Sequence, residues 1–235
     1  MHKAHSRGYV KQGWLETRHS FSFASYYNPE RMGFGALRVI NDDTIAAGQG
    51  FGRHPHENME IITIPLSGAL AHEDSMGNAA MIQTGEVQVM SAGTGVEHAE
   101  FNASQTEAVS LLQIWILTRA PGVVPRYEQK PFDAALFQNA FYLVVGPEAS
   151  EQSGALSIHQ DAFLSLGRFD TDTSIEYALR KEEQGVYFFV IDGAVTIEGQ
   201  ALEKRDAIGL WETERVHLQA KKGAFVLAIE VPMVA

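Results

Sequence analysis

No cysteine occurs anywhere in the chain. Its absence excludes disulfides and thiolate ligands, so any bound metal must be held by nitrogen and oxygen donors. Long apolar runs are missing too. Wholly apolar stretches are as short as residues 186–191, and the opening Met-His-Lys-Ala-His-Ser-Arg-Gly has no apolar core of signal-peptide length. No membrane span is expected, and the expected location is cytoplasmic. Positive charge is scarce: 18 Lys and Arg stand against 29 Asp and Glu, a net charge of −11, with no Lys/Arg cluster in the sequence. That balance argues against a nucleic-acid partner. Helical periodicity is scarce as well; residues 132–138 read as a short helix and 160–166 are ambiguous. Neither a phosphate-cradling Gly loop opening a helix nor a G-x-S-x-G elbow is present, which removes nucleotide-binding and serine-hydrolase readings.

What remains is β-structure. The 235 residues are 45% apolar and 20% charged, the balance of a globular protein, and long enough for one large domain or two ordinary ones. Period-two apolar patterns recur at Leu37/Val39, Val87/Val89, Leu112/Ile114/Ile116, Val195/Ile197 and Phe225/Leu227/Ile229/Val231. Residues 20–23, Ser-Phe-Ser-Phe, alternate in the same way. Turn signals stand at 41–43 (Asn-Asp-Asp), 74–78, Asp192-Gly193 and Glu198-Gly199. Such punctuation predicts an antiparallel barrel or sandwich. Residues 118–132, with Pro121, Pro125 and Pro131, read as a linker. The apolar run ending at Gly68 matches the one ending at Gly193, each followed by an alternating segment. The repeat predicts two related β domains, residues 1–125 and 132–235.

The chemistry is concentrated in two stretches. Gly48, Gly50 and Gly52 precede His54, Pro55, His56, Glu57 and Glu60; residues 91–100 end in His98 and Glu100. Residues two apart in a strand face the same way. His54 with His56, and His98 with Glu100, would therefore project as pairs from adjacent strands onto one metal ion. Three imidazoles and a carboxylate suit Fe(II), Mn, Cu(II), Ni or Zn, with iron favoured where coordination positions stay open. Pro55 suits an edge or bulged strand. A continued strand would turn Glu57 away and bring Glu60 to the ligand face, to order the ligands or replace one. The other histidines read as structural. His72 falls in a hairpin, His159 and His217 stand alone, and His2, His5 and His19 fall outside the ligand spacing. Aromatics of residues 21–34 either roof a pocket for a flat ligand or pack in the core; Trp14, Trp115 and Trp211 read as core or barrel-rim residues.

These stretches resemble the two motifs of a cupin, and in detail the pirin family of two-cupin proteins. Gly48, His54, His56 and Glu60 stand at first-motif spacings, with Gly68 closing the motif one residue late. Gly85 opens the second motif, Ser91 stands where proline is usual, and Glu100 replaces the usual asparagine after His98. Residues 32–43, 71–75, 91–95 and 126–129 are similar to pirin flanks. The resemblance implies an all-β bicupin, two antiparallel β-barrel (jelly-roll) cupin domains. The N-terminal one would hold a single divalent transition metal, Fe(II) ahead of Cu, Mn, Ni or Zn, through His54, His56, His98 and Glu100; the C-terminal one would have no metal site. It also implies a quercetin 2,3-dioxygenase-like activity, opening the central ring of a flavonol with O2 and releasing carbon monoxide, with Glu100 as the base. The expected partners are a small flavonol-like aromatic and O2, with no nucleic acid or membrane, on a monomeric chain. The runner-up is a metal-binding, redox-sensitive regulator that binds a protein partner. A third reading is a metal-cupin isomerase or dioxygenase of another substrate.

Overall fold

The structure, a computed structural model, describes residues 1–148 and 154–233. The first half contributes β1 (Gly8–Gln12), β2 (Leu15–His19), β3 (Leu37–Ile45), β4 (Gly50–His56), β5 (Met59–Ser67), β6 (Ala69–Asp74), β7 (Ala79–Gln83), β8 (Glu86–Ser91), β9 (Val96–Asn102), β10 (Val109–Leu117) and β11 (Arg126–Pro131). The second contributes β12 (Phe141–Pro147), β13 (Leu156–Ile158), β14 (Phe163–Arg168), β15 (Thr173–Ala178), β16 (Gln184–Asp192), β17 (Ala194–Ile197), β18 (Gln200–Glu203), β19 (Ala207–Leu210), β20 (Arg215–Ala220) and β21 (Phe225–Pro232). In the first half a seven-stranded sheet, β1-β2-β3-β10-β5-β8-β11, accompanies a four-stranded one, β4-β9-β6-β7. In the second a six-stranded sheet, β13-β12-β14-β21-β16-β19, accompanies β15-β20-β17-β18. Both are jelly-roll sandwiches; the sheets do not close into the expected barrels. No helix among the described residues is long and apolar enough to cross a membrane.

Strand alternation assigns the layers. Ile62 and Ile64 on β5, and Leu112, Ile114 and Ile116 on β10, join one buried cluster with Tyr187, Phe189, Leu227 and Ile229 of the second half. The two large sheets therefore pack face to face, which explains why β5 and β16 read as unbroken apolar runs: both of their faces are buried. The opposite faces differ between the halves. In the second, Val186, Phe188, Val190, Val226 and Ala228 fill the sandwich with hydrocarbon. In the first, Thr63, Gln88 and Gln113 occupy the inward positions, beside Asn41 and Asp43 on β3, all of them buried.

Strands β3–β10 of the first half correspond in order to β14–β21 of the second. Counting from Gly68 and Gly193, His72 corresponds to Ile197; its partner Glu100 then corresponds to Leu218, and Asn102 to Ala220. Continuing along β9 and β20, His98 corresponds to Val216 and its partner His54 to Tyr177. The same counting sets Gln113 against Ala228 and Asp43 against Gly167.

Several local expectations differ. Residues 41–43 are not a turn but mid-strand in β3, and 20–23 form irregular chain, not a strand. The proposed linker is half strand, since β11 pairs along β8 as the edge of the large sheet. Of 132–138, only Ala134–Phe137 is helical, as a 3-10 turn capped by Asp133, while 160–166 runs into β14.

Candidate metal centre

The site begins with a close approach of backbones. A Cβ at Gly50 would lie 2.2 Å from the carbonyl oxygen of Glu100, so glycine alone lets β4 pair with β9 there. The register slips between Phe51 and His54, after which His54 stands opposite His98. That bulge, on the edge strand of the four-stranded sheet, re-aims the histidine pair. Pro55 sits on this edge, as anticipated. The chain then turns through Asn58 at φ 49° and enters β5 in the other sheet. Glu60 is thereby carried away from the ligand face. It is buried, accepts a hydrogen bond from Ser91 Oγ at 2.6 Å, and shares a neighbourhood with His159 and Arg126.

Three imidazole nitrogens converge. His98 Nε2 is 3.0 Å from His54 Nε2 and 2.9 Å from His56 Nε2. Two neutral imidazoles can share one proton, but three converging lone pairs cannot satisfy one another. Each ring is fixed from behind or beside. His54 Nδ1 donates to Gly52 O at 2.7 Å, leaving Nε2 as the free acceptor, and His56 lies edge-on to Trp115 at 4.8 Å between centroids. Nitrogens at right angles about an ion with bonds of about 2.0–2.1 Å are about 2.9 Å apart, against about 3.3 Å at the tetrahedral angle. The observed separations match an octahedral face. Burial and the neighbouring histidines push His98 down to about 2, and burial with His54 beside it pushes His56 down to about 4. Both are neutral at pH 7, the state that ligates.

Glu100 lies beside His98, in a grouping with His72 and not with His54 and His56. Its Oε2 accepts from Gln113 Nε2 at 2.8 Å, and Gln113 Oε1 in turn accepts from Trp115 Nε1 at 3.2 Å. Oε1 is buried with no partner among the described residues. A buried carboxylate without a cation is costly, and burial raises Glu100 to about 7. The three converging nitrogens fit one divalent cation, and the orphaned oxygen of Glu100 stands near one of their rings, that of His98. His72, His98 and Glu100 form a second buried grouping; His72 Nε2 is engaged by Asp74 Oδ2 at 3.2 Å, and its Nδ1 has no partner among the described residues. The sequence had marked His72 as a hairpin residue; its alternation with Asp74 was the signal that it faces inward.

These shifts set a pH dependence. Ion binding requires the Glu100 proton to leave, while His56 and His98 are already neutral. Below pH about 7 metal affinity should therefore fall as pH falls, by at least the tenfold per pH unit that the one proton of Glu100 requires. Competition titrations between pH 5.5 and 8 measure it, and Glu100→Gln should flatten the slope. In metal-free protein the sign for stability is opposite: the folded state holds the extra proton, so stability present below pH about 4.5 is lost as pH rises through about 7.

A cavity of about 420 Å³ opens onto the group. Trp14, Phe23, Phe51 and Trp115 give it aromatic walls, while Asn41, Asp43 and Gln113 give it a polar one. Asp43 is buried, its Oδ1 unpartnered, and burial raises it to about 7. Phe23 and two of the tryptophans thus serve a pocket, whereas Trp211 is exposed. Asp43 and Asn41 were missed because Asn-Asp-Asp has turn composition.

Comparisons with known proteins agree along the chain. A family model described as Pirin matches residues 2–116, and one described as Quercetinase C-terminal cupin domain matches residues 143–231. The quercetin 2,3-dioxygenase of Escherichia coli (strain K12) is 44% identical over 234 residues, covering 100% of this chain and 99% of that protein. A pirin-like protein of Caulobacter vibrioides is 38% identical, covering 95% of each. Among solved structures, the bacterial pirin YhhW from Escherichia coli in complex with nickel(II) matches with TM-score 0.93 at 43% identity, covering 99% of this chain and 98% of that one.

Proposed function

The chain belongs to the pirin family, and from that premise we propose that it is a metal-dependent dioxygenase of flavonol-like aromatic enols. His54, His56, His98 and Glu100 are its ligands, in the N-terminal half alone. The observation that carries the reading is the conjunction of three free Nε2 atoms and an orphaned carboxylate oxygen at an aromatic-walled cavity. The matching positions of the other half hold Tyr177, Val216 and Leu218, which offer no such set. Fe(II) is the ion proposed; a similar solved structure, the bacterial pirin YhhW, is in complex with nickel(II).

A divalent ion there acidifies an enolic hydroxyl and gives O2 chemistry its metal. The protein's own residues do the rest. Glu100 Oε1 accepts the enol proton, the general-base role of a positioned carboxylate. Gln113 holds the other oxygen, so Oε1 stays aimed at the cavity. Trp14, Phe51 and Trp115 sandwich a flat ring system and exclude water. Asp43 and Asn41 offer hydrogen bonds to ring hydroxyls remote from the ion, which is why a polyhydroxylated aromatic suits the cavity better than a plain one.

The test is spectroscopic. Iron-loaded protein with quercetin under air should bleach the flavonol absorbance and release one carbon monoxide per substrate. Fully loaded protein that leaves the absorbance unchanged would overturn the assignment.

A further inference from the structure

A second recess, of about 590 Å³, lies between the halves. In a chain of net charge −11 its lining is cationic: Arg168, Lys204, Arg205 and Lys222 stand against Asp170 and Asp192. Both carboxylates are held by neighbours, and Asp170 also feels the charge of Lys222, so the cations are in excess by two. Asp170 accepts from the amides of Gln138 and Asn139, and Asp192 pairs with Lys204 at 3.0 Å while accepting from Gly193 N. Arg168 and Lys222 form no ion pair among the described residues; the Arg168 guanidinium lies 4.4 Å over the Phe225 ring.

Arg205 sharpens the imbalance. Its Nε is 3.3 Å from Asp42 Oδ2, an oxygen that also takes Arg7 Nη2 at 3.1 Å. One carboxylate thus serves two guanidiniums, and Arg205 Nη1 is buried without an acceptor. Buried donors are nearly always satisfied, and excess cations in a concave site focus positive potential there, which attracts an anion. The floor supplies Leu66, Ile191 and Phe225, with the hydroxyl-bearing Ser67 and Ser110 from the first half.

We propose that this recess binds a small organic phosphate, its anionic group on Arg168, Lys222 and Arg205 and its apolar body on the floor. The site is independent of the metal centre, from whose lining it shares no residue.

The probes are inorganic phosphate and phenyl phosphate, titrated calorimetrically into the metal-loaded full chain at fixed ionic strength, with metal content checked before and after. Saturable one-to-one binding is expected, with phenyl phosphate about tenfold tighter if its ring reaches the floor. The double variant Arg168→Gln/Lys222→Gln, at exposed positions, should weaken both at least about tenfold, as loss of two charge-assisted contacts requires, while its metal content and melting temperature stay those of wild type. No saturable binding, or equal binding by wild type and double variant, would overturn the proposal. Phosphate bound without the phenyl preference would overturn the apolar half of it.

Discussion

His98→Ala is expected to lose the metal and, with it, turnover. His98 stands at the middle of the nitrogen cluster, within 3.0 Å of both other Nε2 atoms, so its removal leaves two imidazoles and one carboxylate. Outer hydrogen-bond partners of metal ligands cost 10–100-fold in affinity when removed, and a direct ligand should cost more than about 100-fold. The fold should persist, because His98 Nδ1 has no protein partner to lose and the sheet pairing of β9 is made by backbone. A circular dichroism spectrum like that of wild type, with metal content near zero after desalting, is the expected pair of readings. Full metal content in His98→Ala would place the ion elsewhere.

Glu100→Gln separates ligation from proton transfer. Glutamine keeps a carbonyl oxygen for the ion and the reach toward Gln113, but cannot take up the enol proton. A positioned general base contributes about 10²–10⁴-fold, so kcat should fall by that order in variant protein brought to full loading with excess metal. If kcat is unchanged at full occupancy, Glu100 is not the base. The variant also removes a buried carboxyl raised to about 7. Metal-free Glu100→Gln should therefore melt higher than metal-free wild type at pH 8, where the wild-type carboxyl is forced to ionise.

The convergence of His54 and His56 on His98 was legible because side-chain direction in a strand has period two, which also sets Glu100 on the same face as His98. Glu60 was misjudged because a left-handed residue, Asn58, ends one strand and starts another in a different sheet. Sequence spacing carries no mark of that change. Asn41 and Asp43 were hidden for a related reason. Their turn composition is overridden by the pairing of β3 between β2 and β10, and local preference yields where a cavity needs polar walls. Alternation likewise announces strands but not closure, so sandwiches and barrels read alike. The cationic recess could not be read at all, since Arg168 at the end of β14, Lys204 and Arg205 in the turn after β18 and Lys222 before β21 are brought together only by the fold.

The most direct measurement is elemental analysis, per chain, of protein purified without chelator or nickel affinity resin, joined to X-ray absorption at the edge of the metal found. One transition metal per chain, six-coordinate with three imidazole nitrogens, is the predicted result. A metal-free chain that also fails to take up Fe(II), or a four-coordinate ion without three imidazoles, would contradict the centre built from His54, His56, His98 and Glu100.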